Sequence, residues 1–138
     1  YGLANYKSDL IAAVASVSGT MLNCTGPTSH PMPVIHLHGT SDGVVSYNGS
    51  NDWNSVQSTL DYWTSFNNTI STPTINTDNT GGMTIEHYSY EQGDNSVSVE
   101  HYKYIGGDHV WFNEPYQGQN ASELVWNFMS RYDINGLR

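Results

Sequence analysis

The fold of this chain is decided by one short stretch, PVIHLHG, at residues 33–39. The stretch is largely apolar, follows a polar loop rich in proline and ends at Gly39, so it predicts a short strand. The residues that follow, TSDGVV at 40–45, predict a loop at the end of that strand. Asp42 lies in this loop, and α/β sheets carry their functional groups beyond the carboxyl ends of their strands.

The sequence before this stretch predicts one helix, one strand and a loop. Residues 1–6 resemble a helix that has no capping residue in front of it. Residues 10–19 are small and apolar and end at Gly19, which is typical of a buried strand with both faces covered. Residues 23–33 contain three prolines and predict a loop.

The sequence after it predicts a helix, a loop and two strands. Apolar residues recur at steps of three or four after Asp52, so we expect an amphipathic helix with Asp52 as its cap. Residues 67–82 are polar and predict a surface loop. Residues 83–90 and 97–105 alternate between polar and apolar, as the strands of a hairpin or two neighbouring strands do.

The order of these elements indicates the fold class. Residues 121–132 close the chain as a helix that Asn120 is expected to cap. Helix, strand, helix-bearing crossover, two strands and helix in this order predict an α/β sheet with parallel members. The length of 138 residues predicts one domain, residues 1–138.

Charge and composition limit the classes of partner. Thirteen acidic and four basic residues give a formal charge of −9, which would repel nucleic acids and anionic membrane surfaces. No run approaches the roughly 20 apolar residues of a membrane helix. The low charged fraction and the many Asn, Ser, Thr and Tyr residues resemble secreted proteins that act on neutral or carbohydrate-linked substrates, so we expect an extracellular protein. The single Cys24 is either free and buried or paired outside this chain.

Asp42 and His109 together suggest the chemistry of a serine hydrolase. In such an enzyme an imidazole takes the proton of the serine, and a carboxylate on the other ring nitrogen fixes its tautomer and stabilises the imidazolium. In α/β-hydrolases the chain order is serine, then acid, then histidine. Here Asp42 follows the strand at 33–39, and His109 follows the strand at 97–105.

Two motifs resemble those of the polyhydroxybutyrate depolymerase and feruloyl esterase family. HGTSDGVVSY at residues 38–47 is similar to the acid loop of that family, and GGDHVW at residues 106–111 is similar to its histidine loop. The matching positions are Asp42, Val45, Tyr47, His109 and Trp111. The resemblance covers nearly the whole chain and implies the C-terminal part of an α/β-hydrolase fold, with the N-terminal strands and the nucleophile elbow missing.

The resemblance implies a carboxylic ester hydrolase in which Asp42 orients His109 as general base and then general acid. Its substrate would be a short-chain polyester or a feruloylated or acetylated polysaccharide, and Trp111 would wall the cleft or pack beneath the histidine loop. The family's nucleophile elbow, a G-x-S-x-G turn that leads from a strand directly into a helix, is not expected among these 138 residues; the one stretch with that spelling, GTSDG at 39–43, belongs to the acid loop itself. Ser16 and Ser18 are not expected to replace it, because their surroundings lack the first glycine and lead into a loop.

The other histidines are interpreted as structural. His36 and His38 share one face of a strand, but a metal site would need a third ligand nearby. His30, His87 and His101 have no ligand spacing. No metal and no cofactor is therefore predicted.

Two other interpretations stay open. The chain could be a non-catalytic carbohydrate-binding module in which aromatic residues grip the sugar and Asp42 and His109 are relics. It could also be a fragment without activity of its own, which the uncapped first helix and the unpaired Cys24 favour. Half of a fold exposes a sheet edge, so we expect association with the missing N-terminal half or with another copy of the chain.

Overall fold

Five strands form one mixed sheet in the computed structural model, which describes residues 1–22 and 25–138. The interpretation of Cys24 therefore lies outside the described residues. The strands are β1 (Val14–Val17), β2 (Val34–Gly39), β3 (Thr74–Asp78), β4 (Ile85–Tyr90) and β5 (Val99–Tyr104). The helices are α1 (Gly2–Tyr6), α2 (Val56–Phe66) and α3 (Ala121–Met129), with 3-10 turns at Ser8–Leu10 and Asp94–Ser96. A small hairpin of β6 (Tyr132–Asp133) and β7 (Gly136–Leu137) ends the chain.

The spatial order of the sheet is β1-β2-β5-β4-β3. β2 pairs in parallel with both β1 and β5, whereas β4 pairs antiparallel with β5 and with β3. The predicted parallel strands are present, and so are the neighbouring strands predicted at 83–90 and 97–105. The chain is thus a mixed α/β protein with a mostly sheet core.

β2 is the centre of the core, and all six of its residues are buried. Ile35 and Leu37 face the side on which α3 packs through Phe128. Val34 faces the opposite side and packs with Trp63 of α2. A strand covered on both faces is apolar along its length, which explains why residues 33–39 are recognisable in the sequence.

The prediction of a buried strand over residues 10–19 is wrong in its extent and in its burial. Only Val14–Val17 forms a strand, and all four of its residues are partly exposed. The reason is its position: β1 lies at the edge of the sheet and pairs with β2 alone among the described strands.

The prediction that Asp52 caps the second helix is also wrong. α2 begins at Val56, where the Ser55 side chain accepts a hydrogen bond from the Ser58 amide at 3.0 Å. Trp53 lies before the helix, in an isolated antiparallel bridge with Leu22. The position of Trp53, three residues before Val56, extends the apolar helical pattern by one turn in the sequence. In the structure the backbone of Trp53 pairs with Leu22 and is not helical.

The polar segment 67–82 contains β3, where a surface loop was predicted. Thr74 to Thr77 are exposed and only Asp78 is buried, so the segment shows no apolar alternation. Backbone pairing with β4 forms this strand, and pairing of that kind leaves little trace in the sequence.

The prediction that Asn120 caps the closing helix is confirmed. The Asn120 side chain accepts from the Glu123 amide at 3.1 Å, and the Glu123 carboxylate accepts from the Asn120 amide at 2.9 Å, which completes a capping box. α3 ends at Met129 and not at Tyr132, because Tyr132 belongs to the terminal hairpin.

The loops that follow β2 and β5 touch through two glycines. A Cβ atom on Gly39 would lie 2.1 Å from the Gly107 carbonyl oxygen, so a side chain does not fit there. The same oxygen accepts a hydrogen bond from the Ser41 amide at 2.9 Å, and the Thr40 hydroxyl accepts from the Gly106 amide at 2.8 Å. Together these contacts join the two loops.

Replacing Gly39 by alanine is expected to destabilise the fold by about 1–3 kcal/mol, the usual cost of forcing atoms into a packed site. Gly43→Ala in the same loop is the matched control, because a Cβ at Gly43 meets open space. Urea denaturation of both variants and the unchanged chain measures the difference. Equal free energies of unfolding for the two variants would contradict the close approach of the loops.

Candidate active site

The structure brings Asp42 and His109 together, although they lie 67 residues apart in the chain. Asp42 Oδ2 accepts a hydrogen bond from His109 Nδ1 at 3.0 Å. The Asp42 side chain is fully buried, and 38% of the His109 side chain is exposed. His109 Nε2 has no hydrogen-bond partner among the described residues, so this nitrogen can exchange a proton with a ligand.

The carboxylate of Asp42 is held by its own loop. Its Oδ1 atom accepts from the backbone amides of Val44 at 2.9 Å and Val45 at 2.8 Å. Burial raises the pKa of Asp42, but the Val45 and Val44 amides and His109 outweigh burial and hold the pKa below its ordinary value. Asp42 is therefore ionised at neutral pH and can stabilise a positively charged imidazole.

Two further residues hold the histidine loop, and sequence reasoning did not identify either role. Asp108 Oδ1 accepts from the amides of His109 at 2.7 Å and Gly43 at 3.4 Å, which ties the two loops together again. The Ser18 hydroxyl donates to the Val110 carbonyl at 2.7 Å, and Ser18 itself is buried with a left-handed φ of 53°. Ser18 thus acts as a support of this loop, while none of the described serine hydroxyls hydrogen-bonds to His109.

A row of buried histidines leads to Asp42 from the α2 side of the sheet. Tyr1 Oη lies 2.5 Å from His36 Nδ1, His36 Nε2 lies 3.2 Å from His38 Nδ1, and His38 Nε2 lies 3.3 Å from Asp42 Oδ2. The neutral His36 ring can accept from Tyr1 at Nδ1 and donate through Nε2–H to His38 Nδ1, while His38 Nε2–H donates to the Val45 carbonyl at 2.9 Å and faces Asp42. His38 therefore adds a support for Asp42, and its only sequence signal was its place in the acid-loop motif.

Two buried histidines in this region, His36 of the row and His101 beside it, are uncharged at neutral pH. Burial lowers the pKa of His36 well below 6.5 and the pKa of His101 to about 3. His101 Nδ1 donates to the His36 carbonyl at 2.9 Å, and its Nε2 accepts from the Tyr47 hydroxyl at 2.9 Å. Hydrogen bonds thus satisfy the ring without a charge. Among the described residues, no group of three His, Cys, Asp or Glu side chains is placed to hold a metal ion.

Trp111 lies on the surface of the histidine loop, with 56% of the residue exposed. Its Nε1 donates to the Ser122 hydroxyl at 3.0 Å, at the start of α3. Of the two roles predicted for Trp111, packing beneath the loop disagrees with this exposure. More than half of the residue is therefore accessible to a ligand.

Comparison with known proteins gives no family for this chain: no family model matches it, and no curated protein matches it. Within the described residues, no helix combines the length and apolar character needed to cross a bilayer.

The neutral histidines predict that the fold loses stability in mild acid. His36 and His101 stay uncharged in the fold but bind protons in the unfolded chain below about pH 6.5, so stability falls as the pH drops below that value. Each such group lowers the free energy of unfolding by about 1.4 kcal/mol per pH unit. Urea denaturation at several pH values between 7 and 5 measures how the free energy of unfolding changes with pH. Most carboxylates titrate below this range and therefore contribute little to the change.

His101→Gln removes one of these groups and should reduce the slope. Histidine ring resonances recorded by NMR provide the direct check. Titration of His36 and His101 in the folded chain near pH 6.5 would contradict the prediction.

Proposed function

We propose that this chain supplies the acid and the base of a serine carboxylic ester hydrolase of the α/β-hydrolase type. The observation that carries the proposal is the 3.0 Å contact between Asp42 Oδ2 and His109 Nδ1, with Asp42 buried and His109 Nε2 open. An ionised carboxylate on Nδ1 and an open Nε2 are what a general base for a serine requires.

The mechanism uses a serine from outside these 138 residues. His109 Nε2 takes the hydroxyl proton as the serine oxygen attacks the ester carbonyl, and then gives this proton to the departing alcohol. Water attacks the acyl-enzyme in the same way, with its proton passing to His109 and on to the serine oxygen as the acid is released. Asp42 stabilises the imidazolium in both steps.

The structure gives physical roles to the positions that resemble the polyhydroxybutyrate depolymerase and feruloyl esterase family. The Val45 amide donates to Asp42, and the Tyr47 hydroxyl donates to His101 beside the histidine row. The order of the parallel strands, with the acid after β2 and the histidine after its neighbour β5, suits an α/β-hydrolase. We therefore propose a secreted enzyme for a short-chain polyester or a feruloylated or acetylated polysaccharide.

The labelling test uses the chain together with the residues encoded upstream of Tyr1. A fluorophosphonate probe is expected to modify a serine in a G-x-S-x-G elbow of that upstream segment. His109→Ala and Asp42→Asn should slow labelling strongly, because replacing the acid of such a triad costs roughly 10⁴-fold in rate. Asp52→Asn, an exposed loop carboxylate, is the matched control and should label at the unchanged rate.

Two outcomes contradict the proposal. One is a protein in which no serine reacts, and the other is labelling that is as fast in the His109 and Asp42 variants as in the control. Either result would favour the alternative of a non-catalytic carbohydrate-binding module.

We also propose that the polypeptide carrying the serine adds to the free edge of β1. The amides of Val14 and Ser18 bond to the loop before β2 and to β2 itself, so the alternate residues Ala15 and Val17 direct their backbone groups away from β2. An apolar cavity of about 660 Å³ adjoins this edge and is lined by Leu3, Ile11, Ala13 and Met129 among others. An unpaired edge beside an apolar surface is a site for another strand.

Without that polypeptide, the chain is expected to associate with another copy through β1. Ala15→Pro removes an outward amide and should abolish association, whereas Ala15→Ser keeps the amide and should preserve it. Sedimentation equilibrium measures the association, and circular dichroism checks that both variants fold. A chain that is monomeric at every concentration tested would contradict this expectation.

A further inference from the structure

A second cavity, of about 340 Å³, lies on the α3 side of the sheet. Its lining comes from β3, β4 and β5, from the turn at 116–119, from one side of α3 and from Arg131 just after this helix, and includes no residue of the loops at 40–45 and 106–111. Glu100 lies in its wall. Because a strand advances about 3.3 Å per residue, Glu100 is roughly 13 Å before the end of β5, where the histidine loop begins.

The wall of this cavity contains a charge-balanced group. Glu100 is buried, its Oε2 atom accepts from His87 Nε2 at 2.9 Å, and its Oε1 atom accepts from Arg131 Nη2 at 2.5 Å. Burial raises the pKa of Glu100, but His87 and Arg131 outweigh it and hold the pKa below its ordinary value. The carboxylate and the guanidinium compensate each other, so the cavity offers no net charge to a ligand.

Two polar side chains in this cavity are held in place, and each has one atom that forms no hydrogen bond among the described residues. The His87 ring stacks on Tyr102 with a centroid distance of 4.3 Å and an angle of 11°. His87 uses Nε2 for Glu100, and neither its Nδ1 atom nor the Tyr102 hydroxyl has a hydrogen-bond partner among the described residues. One nitrogen acceptor and one hydroxyl therefore remain for a ligand.

The rim carries side-chain amides on a strained turn. Gln117 has a left-handed φ of 48°, and Asp78 Oδ2 fixes it by accepting from the Gln117 amide at 2.6 Å. Gln119 Oε1 accepts from Asn127 Nδ2 at 2.7 Å, so two further side-chain amides of the lining are held together. Residues held in such conformations tend to cluster at active sites and ligand clamps.

We propose that this cavity binds one ring of a neutral saccharide. The hydroxyl groups of a sugar both donate and accept hydrogen bonds, which suits a lining with a nitrogen acceptor, a hydroxyl and side-chain amides. The Glu100–Arg131 pair carries no net charge, so an ionic ligand gains no advantage from it. The charge of −9 further disfavours anions. The proposal does not depend on ester hydrolysis.

The chain itself provides the test, by NMR titration of its backbone amides with xylotetraose. Saturable shifts are expected at Gln117, Gln119 and Asn127, with millimolar affinity. Gln119→Ala and Asn127→Ala should each weaken binding about tenfold, which corresponds to roughly 1.4 kcal/mol. Gln57→Ala on α2 is the matched control, an exposed helical amide on the other side of the sheet, and should bind as the unchanged chain does.

Four results would overturn the proposal. The first is the absence of saturable shifts, and the second is equal weakening in the control variant. The third is tighter binding of tetragalacturonate, an anionic chain of the same length. Shifts confined to the loops of Asp42 and His109 would also count against this cavity, while a failure of serine labelling would leave the titration result untouched.

Discussion

The parallel pairing of β2 with β5 is the contact on which the rest of this molecule depends. It places Gly39 opposite Tyr104, so the loops after both strands start side by side and meet at Gly107. Side chains alternate along a strand, and a slip of one residue would therefore exchange the faces of His36 and Leu37. The register of this one pair sets both the packing of the core and the distance between the two candidate catalytic side chains.

Much of the fold was predictable because it depends on local or repeated patterns. β2 is buried along its length and carries the apolar residues Val34, Ile35 and Leu37, and the Asn120 cap of α3 acts within one helical turn, so both were found from the sequence. β3 and the start of α2 were not. Both depend on pairing between segments distant in the chain: β3 with β4, and Trp53 with Leu22. Such contacts can impose a conformation that the local propensity of a segment does not favour, and they leave no pattern in the amino-acid composition of that segment.

The candidate site shows the same division. Asp42 and His109 were predicted from their places after strands, and the structure puts them in contact. The sequence could not predict their supports, because the Ser18 hydroxyl meets a carbonyl 92 residues away, at Val110. His101 likewise comes from another strand than His36, and only the register brings the two rings together. Hydrogen bonds of this kind are specified by three-dimensional position and have no characteristic spacing.

Two buried histidines lie behind Asp42 without adding a positive charge there. Burial keeps His36 and His101 neutral, and His36 reaches Asp42 only through the His38 ring between them. A positive charge on either ring would attract the Asp42 carboxylate. This electrostatic attraction would be strong, because it would act over a short distance in a medium of low dielectric constant. It would compete with the imidazolium that His109 becomes when it accepts a proton. Because His36 and His101 stay neutral, neither of these rings competes with His109 for the carboxylate of Asp42.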